Sequence, residues 1–217
     1  MTLDDPSIAS ADSPAAPAPD RTIELVVLDM AGTTVLDGGI VEQAFERAAV
    51  RVGLSTFRPL VESLQYVRET MGQSKIEVFR HLTDGDEASA QNANTEFERA
   101  YGELIEEVGV EAIPGAGETI DALRAAGRKV ALTTGFSPAT RDAVLDRLGW
   151  RVDIALSPAD AGRGRPAPDL VLAAIIATGA SSVTAVAVVG DTTSDIRSGR
   201  NAGAGLVIGV TTGAHTR

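Results

Sequence analysis

Carboxylates and hydroxyls stand where short apolar runs of this chain stop. The run LVVL ends on Asp29 and continues into Ala31, Gly32, Thr33 and Thr34. Thr133-Thr134-Gly135 closes a second run, and Gly190-Asp191 closes a third, with Asp195 just beyond it. Asp29, Asp191 and Asp195 offer only hard oxygen ligands, the donor type suited to Mg²⁺. Carboxylates brought within a few ångströms raise one another's pKa, so such a cluster calls for a cation. A single Asp at such a position is commonly a helix N-cap, and Asp195 alone reads equally well that way. Three acids and Thr134 delivered to one edge read as a site.

Delivering them to one edge is a task for a parallel sheet. From residue 113 onward, apolar runs at 128–134, 152–156, 185–190 and 205–210 alternate with amphipathic stretches at 116–126, 138–148, 167–178 and 194–203. That alternation predicts βαβ units. IELVVLD (23–29) is almost continuously apolar, as a central strand buried on both faces must be. Ligands of open α/β sheets bind outside the carboxyl ends of the strands, where the acids fall. Residues 40–109 carry helical periodicity and no strand signal, which predicts an all-helical insertion after the first strand. Gly38-Gly39 and Ile113-Pro114-Gly115 mark its edges as hinges. The expected division is a tail over 1–20, a Rossmann-like doubly wound α/β core over 21–37 and 113–217, and a helical insertion over 38–112. The chain stops at GVTTGAHTR, where a doubly wound domain commonly adds another helix, so one is expected beyond it.

Composition removes other chemistries. Cys is absent and only His81 and His215 occur, so thiolate nucleophiles, disulfides and multi-histidine metal sites are excluded. A net charge of −11 argues against nucleic acid and anionic membranes as partners. No apolar run approaches the ~18 residues of a membrane span. The first 20 residues are acidic and rich in Pro, Ala and Ser, without a basic and apolar leader, so a disordered tail and a cytoplasmic location are expected. Of 19 basic residues all but Lys75 and Lys129 are arginines, so amine chemistry has few candidates.

Asp29-Met30-Ala31-Gly32-Thr33, Thr134, Arg165 in GRPAPD and GDTTSD occur in the order of the haloacid dehalogenase superfamily, and the chain resembles that family over 23–213. The resemblance implies that Asp29 is a nucleophile forming an aspartyl-phosphate, a covalent route open to carboxylates. It implies that Thr134 and the N–H groups after Asp29, at Gly32 and Thr33 among others, hold the phosphoryl oxygens. It also implies Mg²⁺ on Asp29, the Ala31 carbonyl, Asp191 and Asp195, with the helical insertion as a cap.

Most phosphatases of the superfamily carry a second Asp where this chain has Ala31, and that acid protonates the leaving alkoxide, an effect worth roughly 10²–10⁴-fold. The DxAGTT variant resembles the phosphonatase branch, in which a carbon–phosphorus bond breaks and a cap lysine forms a Schiff base with the substrate carbonyl. Lys75, in MGQSKIEVFRHL, is the single lysine of the insertion and matches that position. Met71 and Gly72 would line its pocket together with Gly135, Gly72 permitting close backbone approach. The amine must be neutral to attack, which predicts an apolar or cation-rich pocket. Arg165 would balance the phosphoryl charge in place of the usual lysine. A bland reading makes Lys75 a solvated charge at a helix start.

Two positions depart from the branch. Val78 stands where it has a histidine, and Phe136 where it has a tyrosine; His81 is too far along the helix to substitute. Both touch the carbonyl end of the site, which points to a 2-oxo-alkylphosphonate bulkier or less polar than phosphonoacetaldehyde. A phosphomonoesterase acting on good leaving groups and a non-catalytic phospholigand-binding module are the competing readings. A homodimer through the cap is implied by the resemblance.

Overall fold

The computed structural model describes residues 22–213; the tail expected over 1–20 and His215 lie outside the described residues. Strands β1 (Leu25–Asp29), β2 (Lys129–Thr133), β3 (Ile154–Leu156), β4 (Val186–Gly190) and β5 (Leu206–Gly209) form one parallel sheet in the order β3-β2-β1-β4-β5. All five residues of β1 are buried, because it lies between β2 and β4 with a layer on each face. Side chains alternate along it with period two. Leu25 and Val27 face a cluster with Leu170, Val171 and Ala174, while Val26 and Leu28 face the larger cluster that continues into the helical insertion.

That insertion consists of α1 (Ile40–Val52), α2 (Leu60–Glu69), α3 (Lys75–Leu82) and α4 (Glu87–Val108). Ala44, Ala48 and Ala49 on α1 and Ala90, Ala93 and Ala100 on α4 are buried, and such small side chains let helices approach closely. Phe45, Phe79 and Phe97 fill the remaining space: Phe45 stacks on Phe79 at 4.4 Å and meets Phe97 at 5.1 Å. The ladder continues through Tyr101 to Phe136 of the core, 4.5 Å apart. Aromatic pairs of this kind add about 0.5–1.5 kcal/mol each beyond their buried area, so the insertion is packed onto the sheet domain and not merely tethered to it.

The remaining helices are α5 (Ala116–Ala125), α6 (Pro138–Leu148), α7 (Pro158–Ala161), α8 (Asp169–Thr178) and α9 (Thr193–Asn201). The one-turn α7 escapes a periodicity reading because four residues carry no period; its capping box on Ser157 and Asp160 is the signal that was present. Lys129 lies on β2, beside the central strand. There its amine pairs with Asp153 at 2.9 Å. Among the described residues, no helix is long and apolar enough to cross a membrane.

Candidate active site

Strand register sets the site. Asp29 pairs with Thr133 of β2, and Leu28 pairs with Val189 of β4, so Asp29, Thr134 and Asp191 emerge level at the carboxyl edge. The chain winds from β1 to one side of the sheet and later returns to the other, which makes this edge the topological switch point where α/β folds open a crevice. Asp195 joins from the first turn of α9, where Thr192 is the N-cap and both halves of the capping box form. It therefore serves as a cap and as a member of the acid cluster, the two alternatives left open by sequence.

Oxygen atoms of Asp29, Asp191 and Asp195 lie within 4.8 Å of one another, and all three residues are buried. The buried Arg165 guanidinium donates to both Asp29 and Asp195, while its Nε is buried without a partner among the described residues. Burial, opposed by Arg165 and reinforced by Asp195 and Asp191, holds the Asp29 carboxyl above the usual carboxylate range. Three carboxylates against one guanidinium leave negative charge uncompensated. The donors are all oxygen, and Gly32 presses backbone against Asp191, where a Cβ would lie 2.6 Å from Oδ2. These residues fit a hard divalent cation.

The turn after Asp29 uses most of its amides internally. Met30 N–H donates to Thr133, Gly32 N–H to Val35 and Thr33 N–H to Met30. The Thr33 hydroxyl donates to Asp191 at 3.1 Å, and its side chain lines a different cleft from Asp29. The Gly32 and Thr33 amides, expected as phosphoryl donors, are thus engaged with carbonyls of the turn itself. Ala31 and Gly135 line the cavity over Asp29, and among the described residues neither N–H has a hydrogen-bond partner. Thr134 lines it too, its Oγ1 accepting from Phe136 N–H at 3.2 Å, which leaves the hydroxyl proton available.

The roof of this cavity comes from the insertion. Met71 and Gly72 lie in the loop after α2, and both line it. Three glycines make the approach feasible: Gly72, at φ +83°, abuts Thr192; a Cβ on Gly135 would stand 2.6 Å from Gln73 O; one on Gly164 would stand 2.7 Å from Ser74 Cβ. Lys75 opens α3 directly behind that loop and is only 6% exposed. Its Nζ lies 5.8 Å from the Phe136 ring centroid and 5.9 Å from that of Phe97. Burial lowers its pKa from 10.5 to about 8; Asp37, Asp29 and Glu98 oppose the fall and Arg165 assists it. A solvated lysine at a helix start is thereby ruled out. Val78 is buried one turn on, and His81 is exposed and stacked on Tyr66 at 4.0 Å, so neither presents a polar group to Lys75.

Two acids went unnoticed in the sequence. Asp37 lines the Asp29 cavity and accepts from Val41 N–H at 3.2 Å, and burial raises its pKa. Its signal was an acid immediately before the Gly38-Gly39 hinge. Glu98 of α4 accepts from Ser137 N–H at 3.2 Å, from Ser137 Oγ at 2.6 Å and from Thr140 Oγ1, joining the insertion to the start of α6. Nothing local distinguished it from the other acids of a solvated helix.

Residues 23–203 match the family described as haloacid dehalogenase-like hydrolase. A phosphonoacetaldehyde hydrolase of Bacteroides fragilis is 30% identical over 205 residues, covering 87% of this chain and 78% of that protein. A bifunctional phosphonoacetaldehyde hydrolase/aminoethylphosphonate transaminase of Clostridioides difficile is 30% identical over 199 residues; the match covers 83% of this chain but only 30% of that protein's length. In fold, the chain is similar to a phosphonoacetaldehyde hydrolase-like protein from Oleispira antarctica, with a TM-score of 0.74, 24% identity, and coverage of 88% and 73% of the two chains.

Proposed function

We propose, from the premise that this chain belongs to the haloacid dehalogenase-like hydrolases, that it cleaves the carbon–phosphorus bond of a carbonyl-bearing phosphonate. The observation that carries the reading is Lys75. It is a buried amine with its pKa lowered to about 8, set beside the Asp29 cavity, in a chain whose Ala31 offers no acid to a leaving alkoxide. The names of the relatives support the same reading.

In this scheme the neutral Lys75 amine adds to the substrate carbonyl, and water leaves as the imine forms. Protonation of the imine makes an electron sink. An Asp29 oxygen attacks phosphorus, the carbon–phosphorus bond breaks, and its electron pair moves onto the α-carbon to give an enamine on Lys75. Water then releases phosphate from Asp29. The enamine takes a proton on carbon, and a second water frees the carbonyl product and Lys75. Arg165, whose Nε has no hydrogen-bond partner among the described residues, stabilises the phosphoryl charge, with the Ala31 and Gly135 amides and the Thr134 hydroxyl as further donors. Met71 and Gly72 exclude water from above. Asp37 is the carboxyl placed to exchange protons near Lys75, where the expected histidine is Val78. Asp29, Asp191, Asp195 and the Ala31 carbonyl would hold Mg²⁺, which would neutralise the acids and keep the Asp29 carboxylate ionised.

One observation favours a second reading. The Asp37 carboxyl lines the same cavity and could protonate an alkoxide, which would make the chain a phosphomonoesterase with Lys75 as a binding residue. Borohydride reduction in the presence of phosphonoacetaldehyde or a 2-oxo-alkylphosphonate separates the two. The expected result is a reduced adduct mapped to Lys75, with Lys75→Arg losing carbonyl-phosphonate cleavage by more than a thousandfold. Ester turnover without an adduct, retained in Lys75→Arg, would establish the esterase instead.

A further inference from the structure

The cavity over Asp29 is small, about 30 Å³. Beyond it lies a second cavity of about 150 Å³. Gly135 and Phe136 belong to the walls of both, and Lys75 lines the second. A substrate with phosphorus at Asp29 and its carbonyl carbon at Lys75 can continue into this second cavity, whose wall Lys75 forms. An aldehyde carries only hydrogen there and would leave the second cavity to water. A ketone would fill it.

The walls define what kind of arm fits. Ile76, Phe136 and Ala159 supply apolar surface. Asn94 of α4 is half-buried on the same wall, and among the described residues its amide has no hydrogen-bond partner. Glu98 is the other polar wall; Ser137 and Thr140 occupy its oxygens, but its negative charge remains. An anionic arm would be repelled there, whereas a short neutral arm bearing an oxygen could accept from Asn94.

We infer that this second cavity is the subsite for the arm beyond the carbonyl of a 2-oxo-alkylphosphonate, and that the arm is short, uncharged and oxygen-bearing. The inference rests on the Schiff-base reading of Lys75 and adds the substrate class to it.

The test compares kcat/KM for phosphonoacetaldehyde and for its methyl ketone, hydroxymethyl ketone and carboxy ketone analogues, with borohydride trapping run on each. The hydroxymethyl ketone should exceed the aldehyde at least tenfold, and the carboxy ketone should be the poorest. Ala159→Leu, a change at the exposed rim of the cavity, should lower the ketone-to-aldehyde ratio tenfold or more. Asn94→Leu should remove the advantage of the hydroxymethyl over the methyl ketone. An aldehyde preference in the unaltered protein, with the adduct still on Lys75, would overturn the subsite and leave the Schiff-base reading standing. A ratio unmoved by Ala159→Leu would also overturn it. No adduct on Lys75 with any of the four would overturn both.

Discussion

Lys75 shows how far one side chain's surroundings govern its chemistry. A pKa of about 8 against 10.5 in the unfolded chain means that folding favours the neutral amine. Between those values the unfolded state binds more protons, so stability rises as pH climbs from 8 to 10.5 and carries a constant penalty below 8. The shift corresponds to about 3 kcal/mol. Lys75→Met should therefore raise the stability of the protein at pH 7 by up to about that amount, with the gain fading by pH 10.5, as urea midpoints at several pH values would show. The same titration sets the rate. Carbonyl-phosphonate kcat/KM should climb roughly tenfold per pH unit below 8 and level above it, because only the free amine attacks. A profile flat from pH 6 to 9 would remove Lys75 as the nucleophile.

At the scale of elements, the decisive feature is the seam where the loop between α2 and α3 meets the core. Gly135 is not in a left-handed conformation, so its role is proximity: an added Cβ would stand 2.6 Å from the rigid Gln73 carbonyl. Gly135→Ala should push the roof off the site while leaving the sheet intact. Expected effects are a loss of ten- to a hundredfold in kcat/KM and a stability change of about 1–2 kcal/mol. Limited proteolysis between Thr70 and Ser74 would report the loosened loop. Unaltered kinetics would mean that the cap opens freely during turnover and that the contact is incidental.

Considered whole, the molecule concentrates buried negative charge at one point and covers it with a helical layer. Three buried carboxylates against one guanidinium make the site's own charge a destabilising element until a cation joins it. Chelation should abolish turnover of phosphonates and esters alike. Restoring Mg²⁺ at a hundred times its Kd should recover activity and stabilise the protein by about 2.7 kcal/mol, read as a rise in Tm. Asp191→Asn should blunt that rise. The homodimer through the cap remains a proposal with one supporting observation: Val50, Phe57 and Val61 are exposed apolar residues on the insertion. Sedimentation would read twice 22.4 kDa if it forms, and Val61→Glu should then shift the protein to monomer.

Local pattern was enough for the skeleton. Short apolar runs marked every strand of the sheet, and helical spacing marked the helical character of the insertion. The identity of Asp29, Ala31, Lys75, Arg165 and Asp191, and their order along the chain, pointed to the chemistry, because nucleophiles and hard ligands announce themselves by residue type. What local pattern could not carry were relations between distant segments. That the Thr33 hydroxyl turns to Asp191, 158 residues on, depends on the pairing of β1 with β4. Asp37 and Glu98 read as ordinary surface acids until the insertion folds over the sheet and brings their charges to bear on Lys75. The second cavity belongs to neither layer; it exists only between α3 and α4 on one side and the loops after β2 and β3 on the other. Residue types fix which reactions are open, and the substrate is chosen by space, which is a property of packed pairs and has no period in the sequence.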